Sequence, residues 1–461
     1  MTEEHDIVII GNGPVGRVIV HMMTHFQQNM KEKLSILMIT KEPILAFRCS
    51  MPYGLDSEKD MNQFLVPPKM MKEMCNFKEG TVTEILPEEN IIKTKEGESY
   101  KYKHLVLGLG SRPFIPPFKN VDSENIVAFR VKEDLLKLRE VTKNKKNKVA
   151  VIGGGYIGIE VAVELAELGI DVSVIEMAPS ILPVSSEPEL VSVIQEEVKK
   201  HGVKLYENSK VTGFTKDGNK AVAVELDGNL DPIPVDYVVM AVGVRPNSEI
   251  AEKAGLETAR FGIKTDEFLR TTKYQNIWTA GDVLEKKSFI SGQPMPSEFA
   301  TTAVFTSKIV AHNIFNIIYG QGKQLQKYVG SINGNCASLF DYSIGQSGFT
   351  EFLAKRAGYE VITGYSETPD KYPQLNPQKV YCKLIFDKTN QKLIGGTVLR
   401  KGLSAGQNAD WISLAIQMGV GLRDIMQFQY SSHPMLNPKA NENLFLYSAM
   451  DAMKKFMQLK K

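Results

Sequence analysis

Four cysteines, Cys49, Cys75, Cys336 and Cys382, are spread over 461 residues with no C-x2-C or C-x4-C pair. The spacing excludes a closely spaced redox dithiol. Cys49 stands in Phe47-Arg48-Cys49-Ser50-Met51-Pro52-Tyr53 and has Arg48 beside it. A neighbouring cation lowers a thiol pKa and favours the nucleophilic thiolate, which makes Cys49 a candidate for sulfur chemistry. The other three are expected to be buried structural cysteines. His433 is either an ordinary loop histidine or, if it comes close to Cys49, an imidazole able to protonate a departing thiolate.

Two glycine-rich turns must serve whatever this sulfur does. GNGPVG (Gly11, Gly13, Pro14, Gly16) follows the apolar run Ile7–Ile10, and GGGYIG (Gly153, Gly155, Tyr156, Ile157, Gly158) follows Val149–Ile152. Each sits at a strand-to-helix corner. The first glycine permits the tight turn, the second lets the backbone approach a pyrophosphate, and the third lets helix and strand pack closely. Two such corners read as two dinucleotide sites, with phosphate on the free N–H groups of a helix N-terminus. After the second corner, Val172–Ile175 ends at Glu176, placed to bond both ribose hydroxyls of NADH. Neither Met177 nor Ala178 offers a cation for a 2′-phosphate. After the first corner, Ile36–Ile39 ends at Thr40, and the nearest acid, Glu42, comes two positions late, so the ribose contact stays open between them.

A third segment, Ile277-Trp278-Thr279-Ala280-Gly281-Asp282-Val283, pairs with the first glycine turn. Together they resemble the paired signature of FAD-binding pyridine-nucleotide oxidoreductases. The resemblance implies FAD at the first site, with Asp282 on its ribityl–phosphate part, and NADH at the second. Leu105–Pro113, with Gly110, is similar to the family's first crossover, and Val238–Asn247, with Gly243, to its second. The Cys49 segment resembles the CGxPY site of the single-cysteine branch, with Ser50 in place of glycine. That branch holds coenzyme A-disulfide reductases, polysulfide reductases, NADH oxidases and NADH peroxidases. It implies a cysteine at a helix N-terminus against the flavin, which would lower its pKa further. Tyr156 corresponds to the tyrosine that covers the empty nicotinamide pocket. Glu160 is either a positioning group there or a helix-surface acid. Peroxidases and water-forming oxidases carry histidine where Pro14 stands, which favours a thiol–disulfide role. The arginine pair expected for coenzyme A corresponds to Thr24-His25, leaving that ligand open. Tyr430 aligns with the tyrosine of a segment that enters the partner subunit's site. His433-Pro434 is similar to the HP pair of dithiol reductases, though Pro438 stands where their carboxylate would be.

The elements that position these groups follow from the same anchors. The fold class is α/β, with two Rossmann-like dinucleotide-binding domains of glutathione reductase type and a C-terminal α+β dimerisation domain. Residues 1–115 and 245–325 form a discontinuous FAD domain, 116–244 the NADH domain and 326–461 the interface domain of a homodimer. Helices are expected over Phe299–Tyr319, Asp410–Met418 and Asn443–Met457, and strands over Ile344–Thr350 and Val380–Phe386. A formal charge of +2 gives no argument for nucleic acid. The polar start Met1–His5 resembles no signal, no run approaches the ~18 apolar residues of a spanning helix, and unpaired cysteines fit a reducing cytoplasm. The lysines of Lys143–Lys148 and Lys454–Lys461 read as a solvated linker and a tail. No metal site is expected. The expected activity passes hydride from NADH through flavin to a sulfur substrate on Cys49: coenzyme A disulfide, a persulfide or polysulfide, or another small disulfide. An NADH oxidase or peroxidase, and a flavoprotein reductase for a small redox protein, are the alternatives.

Overall fold

The computed structural model describes residues 3–228, 230–320 and 324–459. Met1 and Thr2 of the polar start and Lys460 and Lys461 of the basic tail lie outside the described residues. Strand β1 (Glu3–Ile10) is polar at its start, and its run Ile7–Ile10 is buried, as suits the middle of a parallel sheet covered on both faces. β2 (Ile36–Thr40) and β3 (Ser99–Leu107) flank it in parallel. Helix α1 (Pro14–Phe26) connects β1 to β2. It starts with proline, whose missing N–H costs nothing in the first turn, and buries Val15, Ile19, Val20 and Met23 along one stripe.

The second unit repeats this plan with β4 (Lys148–Ile152), α2 (Tyr156–Glu167), β5 (Asp171–Ile175), α3 (Pro188–Lys200) and β6 (Tyr237–Met240). All pairs in its five-stranded sheet are parallel, with β4 between β5 and β6. The chain then rejoins the first sheet at β7 (Ile277–Thr279), parallel to β3, and α4 (Ala300–Tyr319) packs on α1. The two passages between the sheets pair with each other, Ser111–Pro113 running antiparallel to Val244–Pro246.

The C-terminal part is a five-stranded antiparallel sheet of β8 (Asn335–Leu339), β9 (Tyr342–Gly348), β10 (Val361–Pro369), β11 (Lys379–Asp387) and β12 (Leu393–Lys401), in the order β8-β9-β12-β11-β10. Helices α5 (Ala405–Gln417) and α6 (Leu444–Gln458) pack on it. Side chains alternate along β11: Val380, Cys382, Leu384 and Phe386 join the helices in one core, while Lys383 faces the other way, toward the second unit. The architecture is the α/β class with two Rossmann-like units and an α+β domain that the sequence implies. β9 lies two residues before the expected Ile344–Thr350, because Thr350 caps the following helix, β11 gains one paired residue at each end of Val380–Phe386, and α5 starts at Ala405, five residues before the expected Asp410. Among the described residues no helix is long and apolar enough to cross a membrane.

Candidate active site

A continuous cleft of about 2690 Å³ runs from the first glycine turn past the second to the C-terminal sheet. Pockets for a single small ligand span roughly 300–1,000 Å³, so this volume suits two dinucleotides. Both glycine corners have the same geometry. Gly11 (φ 112°) and Gly153 (φ 102°) lie in the left-handed region, and a Cβ would stand 2.3 Å from the Gly108 carbonyl oxygen in one and 2.6 Å from that of Ala241 in the other. Gly13 and Gly155 open onto the cleft, with nothing within 4 Å of where a Cβ would be. They also begin α1 and α2 without any side-chain cap, so the first-turn N–H groups are free for phosphate. Gly16 and Gly158 do not line the cleft. A Cβ there would lie 2.2 and 1.9 Å from the Gly11 and Gly153 oxygens, so each helix packs directly on its turn.

At the first corner the Thr40 hydroxyl is buried and accepts the Glu42 N–H at 3.1 Å, which fixes the turn after β2. Thr40 and Glu42 both line the cleft, with the Glu42 carboxylate 4.0 Å from Arg48. Asp282 Oδ2 accepts the Ser111 hydroxyl at 2.6 Å and Arg130 at 3.4 Å. Arg130 also donates to the Ser111 carbonyl at 2.9 Å, and its Nε is buried without a partner. A spare donor on a largely buried cation beside Asp282 and the uncapped α1 fits the phosphates of FAD. Nothing in the sequence marks Arg130, which reaches the site only because the chain crosses back between the two sheets. Gly110 lines the same part of the cleft.

At the second corner Glu176 is held by two backbone N–H groups, Gly154 at 2.7 Å and Ala178 at 2.8 Å. Its carboxylate therefore sits against the glycine turn at the end of β5. Tyr156 and Ile157 line the cleft, as does Gly243 at the second crossover. The Tyr156 hydroxyl donates to the Ser185 carbonyl at 3.2 Å. Glu160, one helical turn on, faces the same space, and burial, with Glu164 adding to it, pushes its carboxyl up to about 7. A carboxyl raised from 4.5 in the unfolded chain to about 7 binds more protons when folded, so its contribution to stability is fully present below about pH 4.5 and is lost as pH rises through 7. The upper scale is about 3 kcal/mol at 1.36 kcal/mol per pKa unit. Glu160→Gln should therefore raise the melting temperature by a few degrees at pH 8 and leave it unchanged near pH 4.5. Calorimetry showing the same gain at both pH values would contradict this.

Two expectations about the cysteines are corrected. Cys49 lies on the cleft wall, but within a single 3-10 turn (Arg48–Ser50) followed by another (Pro52–Gly54), and no α-helix starts there. Cys49 is exposed, but partial desolvation of its sulfur against the cleft wall raises its pKa, Glu160 pushes the same way, and Arg48 does not outweigh them; the thiol is raised, not lowered. Cys336, expected to be buried, is exposed at the start of β8 and lines the same cleft, close enough to Glu160 and Tyr156 to interact with both. Its place depends on where β8 docks, which no local pattern reveals. Cys382 is buried in the C-terminal core, and Cys75 is part-buried with its thiol on the Met71 carbonyl at 3.3 Å. Pro14 lines the cleft, and no imidazole occupies its position. Tyr430 and His433 are not brought to Cys49 within one chain. The Tyr430 hydroxyl bonds the Ala440 carbonyl, and His433 is exposed, its Nδ1 accepting the Met435 N–H at 3.3 Å. Among the described residues no group of three or more His, Cys, Asp or Glu could hold a metal ion.

Comparison with known proteins bears on this site. Residues 5–305 match the family model described as pyridine nucleotide-disulphide oxidoreductase, and residues 336–444 match its dimerisation domain. The chain is 31% identical over 462 residues to an NADH oxidase of Methanocaldococcus jannaschii, covering 97% of this chain and 98% of that one. It is 26% identical over 404 residues to an NAD(P)H coenzyme A polysulfide/persulfide reductase of Pyrococcus horikoshii, covering 85% of this chain and 87% of the other. The structure of an NAD-dependent persulfide reductase from A. fulgidus superposes with a TM-score of 0.90 at 24% identity, over 98% of this chain and 84% of that one, which shows a shared fold.

Proposed function

Since the chain belongs to the pyridine nucleotide-disulphide oxidoreductase family and is an NADH-dependent flavoprotein oxidoreductase, we propose that it reduces a sulfur substrate held on Cys49. The carrying observation is the position of Cys49, a free thiol on the wall of one cleft that also holds both glycine turns. FAD, when bound, accepts hydride from NADH and passes two electrons to sulfur. Gly13 and the first turn of α1, Arg130 and Asp282 would hold it, and Glu176 and the Gly153–Gly158 turn would hold NADH.

The residues then have distinct tasks. Cys49 attacks a disulfide or polysulfide, forming a mixed disulfide or persulfide and releasing a thiolate. Two electrons break that S–S bond, the substrate fragment leaves with a proton, and the Cys49 thiolate is regenerated. Attack requires the thiolate, which reduction regenerates, whereas the raised pKa of Cys49 works against that form and favours the resting thiol. Mass spectrometry after exposure to polysulfide should find added sulfur on the Cys49 peptide, removed by NADH. An adduct on another cysteine, or one that NADH leaves in place, would contradict the assignment. An oxidase reading draws on the name of the Methanocaldococcus relative; proline in place of an acid–base side chain at position 14 counts against it.

The working unit proposed is a homodimer in which Tyr430 and His433 serve the partner's cleft, where His433 would protonate the leaving thiolate. Deleting the segment is a poor test, because α6 follows it and contributes Leu444, Phe445, Ala449 and Ala452 to the C-terminal core. Mixed dimers are cleaner. Cys49→Ser chains and His433→Asn, Tyr430→Phe chains should each be impaired, and co-refolding them should restore activity in heterodimers that carry one intact site. Failure of the mixture to exceed the sum of its parents would place the two residues outside the reaction.

A further inference from the structure

The loop between β5 and α3 is held at three points. Near its start the Leu182 N–H donates to the Gly154 carbonyl of the second glycine turn at 2.8 Å, with Leu182 at φ 49°, a conformation a leucine rarely adopts. In its middle Pro183, Val184 and Ser185 line the cleft, and the Ser185 carbonyl accepts the Tyr156 hydroxyl. At its end Glu187 is 1% exposed and accepts the Glu351 N–H at 2.8 Å. The Lys383 Nζ, reaching from β11 of the C-terminal sheet, lies 2.9 Å from Glu187, 2.9 Å from Glu189 and 2.7 Å from Glu351. Three carboxylates around one buried ammonium keep it charged. A buried ion cluster adds little stability over apolar packing of the same volume, whereas it does fix the relative position of the segments it joins.

We propose that Lys383 is a positioning residue for the coenzyme pocket: it clamps the 181–187 loop from the C-terminal domain and, through the Ser185 carbonyl, holds the Tyr156 ring and the wall that NADH meets. This rests on NADH entering at the Tyr156 end of the cleft. A preformed wall lowers the ordering cost of binding and does not touch the reacting atoms, so its loss should appear in affinity and not in the hydride step.

Rapid mixing of the FAD-loaded enzyme with increasing NADH separates the two, giving a Kd and a limiting rate of flavin reduction. Lys383→Met should raise the Kd by about tenfold and keep the limiting rate within about twofold, and Lys383→Arg should keep both close to the parent enzyme. Because the clamp acts through Tyr156, combining Lys383→Met with Tyr156→Phe should bind NADH no more weakly than the weaker single variant. If Lys383→Met does not load FAD, Glu187→Gln replaces it in the same cycle with the same expectations. A lowered melting temperature with an unchanged Kd would reduce the cluster to a structural role, and fully additive effects would break the link to Tyr156. If NADH does not enter there at all, Tyr156→Phe and Glu176→Ala will leave the Kd untouched; if only the clamp fails, Tyr156→Phe will act and Lys383→Met will be silent.

Discussion

Replacing Cys49 by serine should leave FAD bound and NADH able to bleach it, while turnover with disulfides or polysulfide falls by at least about a hundredfold, the scale of a lost covalent nucleophile. Hydride transfer needs the two dinucleotide corners, which lie at Gly11–Gly16 and Gly153–Gly158 and involve no sulfur. Any long-wavelength band from a thiolate against the flavin should vanish with the sulfur. The informative control is Cys336→Ser, because Cys336 is also exposed on the cleft wall. It should retain most sulfur turnover, as should Cys382→Ser in any protein that folds. A Cys336→Ser enzyme that lost turnover while Cys49→Ser kept it would reverse the roles of the two thiols.

The second large effect concerns the coenzyme. Glu176 is fixed by the Gly154 and Ala178 N–H groups, so its carboxylate cannot swing away from a ribose at the turn. A charge-assisted hydrogen bond to a ribose hydroxyl contributes about 1.5–3 kcal/mol, and a 2′-phosphate would meet repulsion instead. kcat/KM should favour NADH over NADPH by at least about tenfold, which corresponds to about 1.4 kcal/mol. Glu176→Ala should narrow that gap, chiefly by weakening NADH. Equal use of both coenzymes by the parent enzyme would remove Glu176 from this role.

The glycine corners were legible in the sequence because an apolar strand, a turn and a helix start lie within a few residues of one another; Glu176 was legible as the acid that ends the following strand, and Asp282 through the family resemblance of its segment. The groups that escaped arrive from a distance. Arg130 reaches Asp282 across 152 residues of chain, and Lys383 reaches Glu189 across 194. Cys336 belongs to the cleft only because β8 docks beside α2. The direction of the Cys49 pKa was misjudged for a related reason. Arg48 is visible as a sequence neighbour, whereas the partial desolvation that outweighs it and the approach of Glu160 are tertiary. Thr40 and Glu42 illustrate a finer limit, since both line the cleft at or just past the end of β2, and only the structure shows that the Thr40 hydroxyl is tied to the Glu42 backbone.

The central claim is that electrons leave through sulfur on Cys49, and reoxidation kinetics test it most directly. Enzyme reduced anaerobically with one equivalent of NADH would be mixed in parallel with coenzyme A disulfide, polysulfide, peroxide and oxygen, and the return of flavin absorbance followed. At least one sulfur acceptor should reoxidise the parent enzyme faster than oxygen or peroxide, and that advantage should disappear in Cys49→Ser. Reoxidation fastest with oxygen or peroxide, or a sulfur rate untouched by Cys49→Ser, would contradict the account.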